Sequence, residues 1–151
     1  MQIEREGGFI IAKIHQVGGR VFTRLMKENS VVEFNPAQGR IIFALWQGDG
    51  IPIHVLAKRT ALKKSTLTSM LDKLEQGGWI VRLASPHDRR SILVHLTDKH
   101  KEWQDKYVAI SAAMNKLFYS GLSSSEIDKF EETLNKVLEN VTSAEEALQR
   151  K

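Results

Sequence analysis

Residues 53–96 constrain this chain more than any other stretch, because four short elements of different kind follow one another there with almost no spacer. Residues 53–60 read as a short helix. A tight break follows, and residues 63–75 read as a second helix rich in hydroxyls and lysines. Leu62, Leu67, Met70, Leu71 and Leu74 recur at helical spacing and give that helix a buried face. Lys63, Lys64, Ser65, Thr66, Thr68, Ser69 and Lys73 are left largely on the exposed one. After Gly77-Gly78 come two runs with the composition of strands, residues 79–83 and 91–96. Between them lies Ser85-Pro86-His87-Asp88-Arg89-Arg90, whose proline and aspartate suit a turn.

A helix, a turn, a helix and a hairpin with arginines at its tip make the layout of a winged helix-turn-helix. Such a layout lays the second helix in the DNA major groove and the hairpin against the backbone or the minor groove. Double-stranded DNA is therefore the expected partner. The residue chemistry agrees with that expectation. Ser65, Thr66, Thr68 and Ser69 carry hydroxyls that both donate and accept, and a threonine methyl packs on thymine. Lys63, Lys64 and Lys73 read as phosphate partners, which set register and supply salt-dependent affinity. Ser65 has an equal claim to being the cap of its helix. At the hairpin, arginine suits the strongly negative minor groove. Asp88 is expected to orient the Arg90 guanidinium by a bidentate bond across the turn, with Arg89 on a neighbouring phosphate. His87 is either a further phosphate contact or a turn residue.

The net charge of +4 favours a polyanionic partner only mildly, so where the charge sits matters more. Lys58, Arg59, Lys63, Lys64, Lys73, Arg82, Arg89 and Arg90 crowd the centre against Asp72, Glu75 and Asp88. The segment from Ser123 onward is acidic instead. With 151 residues and 42% hydrophobic content the chain can bury one core and carry an oligomerisation element. Without cysteine it has no disulfide, no thiolate metal site and no thiol redox sensor. The opening residues lack the basic and apolar regions of a secretory leader, and no apolar run suggests a membrane span, so a cytoplasmic protein is expected. No phosphate-binding glycine loop, nucleophile elbow or paired carboxylates stand out, so no enzyme and no cofactor are expected. His15, His54, His87, His95 and His100 are scattered without metal-pair spacing, so no metal is expected either.

Helices flank the central stretch. Phe9, Ile10, Ile14, Val17, Val21, Phe22, Leu25 and Met26 form an apolar stripe on a helix over residues 8–28. Gly18-Gly19 within it costs roughly 1 kcal/mol per residue relative to alanine, which calls for a close helix approach or a local bend. Asn35 and Pro36 open a second helix as N-cap and first residue. Ile41, Ile42, Leu45 and Trp46 follow, and Gly48-Asp49-Gly50 ends it. Thr97 reads as the cap of the helix after the hairpin.

Further on, Trp103, Tyr107, Ile110, Met114 and Leu117 recur at alternating spacings of four and three, as do Ile127, Phe130, Leu134, Val137, Val141, Ala144 and Leu148. A period of 3.5 marks helices packed side by side. Gly121 separates the two helices, and Ser123 and Glu126 are spaced as a capping box. The expected dimer contacts are Phe9, Ile10, Ile110, Met114, Leu117, Ile127, Phe130, Leu134, Val137 and Val141, with packing inside one chain as the alternative. His15 and Arg20 are candidates to anchor a carboxylate or phenolate, beside Phe43 and Trp46, which otherwise read as core residues.

The run Leu67-Thr68-Ser69-Met70-Leu71-Asp72-Lys73-Leu74-Glu75-Gln76-Gly77-Gly78-Trp79-Ile80 leads through Asp88-Arg89-Arg90-Ser91-Ile92-Leu93-Val94 to Leu96-Thr97-Asp98-Lys99. It closely resembles the MarR family of bacterial and archaeal transcriptional regulators, and the helix order matches along essentially the whole chain. The resemblance implies a mainly α fold with a small β-wing, comprising a winged-helix lobe over residues 36–97 and dimerisation helices over 8–30 and 98–148. It implies a homodimer on a pseudo-palindromic operator, with Arg90 inserted in the minor groove. It further implies a repressor released by a small aromatic or phenolic effector bound between lobe and dimer region. The alternative is a DNA-binding factor with no effector, or one controlled by a protein partner. His100 departs from the family pattern, which usually has glycine there.

Overall fold

The computed structural model describes residues 4–31 and 35–151. Residues 1–3, the start of the segment read for a leader, and residues 32–34 lie outside them. Two compact units divide the chain, Met1–Ser111 and Ala112–Lys151. In order, the elements are α1 (Gly7–Glu28), α2 (Pro36–Trp46), β1 (Ile51–Pro52), α3 (Ile53–Thr60), α4 (Lys64–Gln76), β2 (Ile80–Ala84), β3 (Ile92–Leu96), a 3₁₀ turn (Asp98–His100), α5 (Lys101–Phe118) and α6 (Ser124–Gln149). The fold is mainly α with a small antiparallel wing. No helix among the described residues is long and apolar enough to cross a membrane.

In the first unit, α2 begins as its sequence dictates. Asn35 Oδ1 accepts from the Gln38 N–H at 2.9 Å, and Gln38 Oε1 accepts from the Asn35 N–H at 2.9 Å. That reciprocal pair satisfies two of the donors a helix start leaves orphaned. Leu67, Leu71 and Leu74 turn inward from α4 against Ile41, Ile42 and Leu45 of α2, Leu56 of α3, Ile80 and Val94. Each fully buried leucine contributes about 1.5–3 kcal/mol. The sheet order is β1-β3-β2, with Arg82 opposite Val94 and Ile51 also opposite Val94 on the other side. The strand β1 has no sequence signature, because two residues are too few for alternation to register.

Several expectations are corrected here. Ile110 is 2% exposed and packs in the core of its own unit, so it is not free to contact a partner chain. Tyr107, on the same face of α5, is buried with it and meets Phe22 and Trp46 edge to face. The period-3.5 stripe of this helix is thus partly spent inside the chain. Among the described residues a Cβ built on Gly18 or Gly19 meets no atom within 4 Å, so neither glycine admits a described helix of this chain, and α1 runs unbroken through both. Thr97 does not cap with its side chain; its hydroxyl donates to the Gly78 carbonyl at 2.5 Å and ties the two ends of the wing together.

Gly39 is the glycine whose missing side chain matters most. A Cβ there would lie 2.8 Å from Cε2 and Oη of Tyr107. Burial pushes the Tyr107 phenol up to about 12, with the charge of Arg40 working in the opposite direction. Gly39→Ala is expected to overpack this contact at about 1–3 kcal/mol, outweighing the alanine's gain in helix propensity of about 1 kcal/mol at most. A lower urea midpoint with an unchanged slope is the predicted reading.

In the second unit, α5 ends in a turn through Gly121, whose φ of +81° suits glycine, and α6 starts at Ser123. Ser123 Oγ accepts from the Glu126 N–H at 3.2 Å, and the pair closes through a side-chain bond of 3.1 Å to Glu126 Oε1. Phe118, Tyr119 and Phe130 cluster at this turn, and Tyr119 donates to Glu131 Oε1 at 2.7 Å. Met114, Ile127, Phe130 and Leu134 are half-buried, whereas Leu117, Val137 and Val141 are exposed.

Candidate nucleic-acid interface

The turn before α4 is built by backbone closure. Leu62 N–H donates to the Ala57 carbonyl at 3.2 Å and Ala61 N–H to that of Lys58 at 3.4 Å, with Ala61 left-handed at φ +56°. This pattern stops α3 and redirects the chain at once into α4. Lys63 occupies the N-cap position without a side-chain cap, and Ser65 lies inside the helix, which removes its capping role. Lys63, Lys64, Ser65, Thr66, Ser69 and Lys73 are exposed. Thr68 is half-buried and its hydroxyl donates back to the Lys64 carbonyl at 2.8 Å, so it offers only an acceptor outward.

The wing tip is tied by its own backbone. Ser85 N–H donates to the Ser91 carbonyl at 2.8 Å, and Ser91 N–H to that of Asp88 at 3.0 Å. Ser85 Oγ accepts from the His87 and Asp88 N–H groups at 3.2 and 3.4 Å. Asp88 Oδ1 accepts from the backbone N–H of Arg90 at 3.0 Å, which corrects the expected bond to the guanidinium. Asp88 therefore shapes the turn and leaves both arginine side chains exposed. Among the described residues, Lys63, Lys64, Lys73, Arg89 and Arg90 form no ion pair, so their charge faces outward unneutralised.

Two further side chains join α4 to the wing; the sequence marks Arg82 only as positive charge and Lys99 only as the end of the family-like run. Arg82 Nε donates to Glu75 Oε2 at 2.6 Å and Nη2 to Asp72 Oδ1 at 2.6 Å. The hydrogen bond to Asp72, with support from Glu75, raises the arginine's already high pKa despite partial burial. Lys99 Nζ donates to the Gly77 carbonyl at 2.7 Å and lies 4.8 Å from the Trp79 ring centre, closing the corner where α4 turns into β2.

The MarR family model matches residues 34–92, which takes in most of the lobe, from α2 to the start of β3. The HTH-type transcriptional regulator YkoM of Bacillus subtilis is 35% identical over 118 residues, covering 73% of this chain and 77% of YkoM. The chain belongs to the MarR family. Solved structures agree in fold: BpsR of Bordetella bronchiseptica superposes with a TM-score of 0.79 at 19% identity over 91% of this chain and 96% of BpsR. MepR of S. aureus, solved in complex with DNA, superposes with a TM-score of 0.77 at 20% identity over 89% of this chain and 95% of MepR. This MarR-family protein is thus a DNA-binding transcriptional regulator, with the family and fold of regulators rather than of enzymes.

The effector candidates of this MarR-family chain separate into two groups. His15 and Arg20 line an open groove of about 450 Å³ between α1 and the start of α2, together with Gln16, Thr23, Asn35 and Arg40. Phe43 and Trp46 do not line it. Phe43 is exposed on α2, and Trp46 packs on Tyr107 while its Nε1–H donates to Nδ1 of His100 at 3.0 Å. His100 thus uses the position usually held by glycine to bind a side chain of α2. Among the described residues no three His, Asp or Glu side chains gather as a metal site.

Proposed function

We propose that this protein is a homodimeric, sequence-specific repressor, acting in the cytoplasm, that reads a pseudo-palindromic operator and releases it when a small aromatic or phenolic acid binds. The observation that carries the reading is the pairing, on one lobe, of a hydroxyl-bearing basic helix face with an arginine wing tip whose charges are free. Lys63, Lys64 and Lys73 would hold phosphates, Ser65, Thr66 and Ser69 would meet base edges, and Arg90 would enter the minor groove.

Dimerisation is supported by apolar surface that the single chain leaves open. Phe9 is 67% exposed and Val141 62%, and Ile10, Ile14, Val17, Leu117 and Val137 are exposed with them. Within the first unit Phe9, Ile10, Ile14 and Val17 lie exposed on α1, and within the second Val137 and Val141 lie exposed on α6; exposed apolar residues recurring at helical spacing mark an interaction surface. A second copy is the occupant that also places two recognition helices about one DNA turn, ~34 Å, apart. Arg20 and Arg40 give the groove the cationic lining an acid would seek, and His15 adds an imidazole to it. BpsR is a relative in fold whose DNA binding is regulated by 6-hydroxynicotinic acid. An effector of this kind lowers operator affinity by the difference in its affinity for the two states of the dimer, and by no more.

Hydroxyl-radical footprinting on a selected operator tests the dimeric reading. Two protected patches centred about 10 base pairs apart, or a multiple of that spacing, are expected. A single protected patch at saturating protein contradicts it.

A further inference from the structure

Acidic residues on a helix that meets DNA need a reason. Asp72 lies three residues beyond Ser69 and four beyond Thr68, so a carboxylate stands at the border of the hydroxyl face, and Glu75 follows three residues later on the same flank. One side chain of the wing answers both. Arg82, in the middle of β2 and opposite Val94, brings Nε to 2.6 Å from Glu75 Oε2 and Nη2 to 2.6 Å from both Asp72 Oδ1 and Glu75 Oε2. Its side chain is 22% exposed, against 51% for Asp72 and 36% for Glu75. The guanidinium is planar and holds its donors in a fixed fork. Gripping two carboxylates nearly one turn apart therefore restricts the roll of α4 about its own axis, which a single point contact would not.

We infer that Arg82 is a specificity-determining positioning residue: by clamping Asp72 and Glu75 it sets the roll of α4 relative to the wing, and so selects which base edges the hydroxyl face meets. The inference rests on reading α4 as the helix that enters the major groove. Side-chain tips lie about 5–6 Å from a helix axis, so a roll of about 20° sweeps them by roughly 2 Å. A placed polar contact tolerates about 0.5 Å. Lysines on phosphates follow such a shift, because their stems are long and flexible and the ammonium is a point charge. Loosening the clamp thus costs base reading more than phosphate binding. The helix itself stays docked, because Leu67, Leu71 and Leu74 are buried independently of the clamp.

A simpler role for Arg82 would be to cancel the two negative charges beside DNA. Two variants separate the roles, because they change the charge in opposite directions. Arg82→Gln removes one positive charge, whereas the double variant Asp72→Asn with Glu75→Gln removes two negative ones. Charge alone moves affinity for every duplex together, down in the first and up in the second, and leaves the ratio of selected to scrambled DNA unchanged. The clamp predicts that this ratio falls tenfold or more in both. Arg82→Lys keeps the charge and loses the fork, so its affinity for scrambled DNA stays at the wild-type value while the ratio falls.

The full-length wild-type protein is first used to enrich duplexes from a randomised pool. The most enriched duplex and its scrambled counterpart are then the probes for fluorescence anisotropy at one fixed salt concentration. Far-UV circular dichroism and a thermal melt check folding. A wild type that enriches no sequence overturns the sequence-specific reading, and this inference with it. A wild type that discriminates, beside variants that keep its ratio, overturns the clamp alone. Where Arg82→Gln does not fold, the Arg82→Lys and Asp72→Asn/Glu75→Gln proteins decide by the same ratio.

Discussion

Arg89→Ala combined with Arg90→Ala is expected to lower affinity for the selected operator by about two orders of magnitude while leaving the lobe folded. The loss has two sources. Each phosphate contact removed withdraws its released counterions, so the slope of log affinity against log salt falls by roughly 0.9 per contact. An arginine withdrawn from a narrow minor groove forfeits the enhanced negative potential there, and with it preference for the sequences that narrow the groove. Stability is expected to hold within about 0.5 kcal/mol, the range for exposed substitutions away from buried networks. The turn is tied through Ser85, the Asp88 carboxylate and backbone groups, none of which uses either guanidinium. Anisotropy across a potassium chloride series, beside a thermal melt, reads both effects. An unchanged slope would remove the wing tip from the interface.

Val137→Asp with Val141→Asp is expected to convert the protein to a monomer and weaken operator binding by a further large factor. Both valines lie exposed on α6, 40% and 62%, so placing aspartates there disturbs no core of the chain itself. Against a second copy, the same change buries unpaired carboxylates at an apolar seam, a penalty of several kcal/mol per ion. Two lobes on one operator gain about 10²–10⁴ in affinity from their linkage, and that gain disappears with the dimer. Sedimentation is expected to give the mass of one 17.1 kDa chain where the wild type gives twice that. A doubled mass that persists in the variant would place the dimer surface elsewhere.

Much of the lobe can be read from local spacing, because its helices are specified by periodic burial. The Leu67, Leu71 and Leu74 repeat and the Asn35-Pro36 start each define their element without reference to any other part of the chain. What escapes is set by contacts remote in sequence. Ile110 has the spacing of a seam residue, but spacing cannot say whether the facing helix belongs to the same chain. The two-residue strand β1 is recognisable only once β3 lies beside it. Asp88 and Arg90 are correctly paired by sequence, yet the short aspartate reaches the backbone N–H two residues on, the usual reach of such a turn, and not the guanidinium. Arg82 carries a usable signal, a lone basic residue in a strand seven and ten residues after two helical carboxylates. It becomes legible only when the helix is known to fold back on the strand.

Sequence-specific DNA binding is tested most directly by comparing the affinity of wild-type protein for the best genomically selected fragment with that for scrambled DNA across a salt series. A sequence-specific regulator is expected to bind the fragment tightly, exceeding scrambled DNA by ~10³ or more with a steep salt slope. Equal and weak binding to both, by protein freed of bound small molecules by unfolding and refolding, would contradict sequence-specific binding.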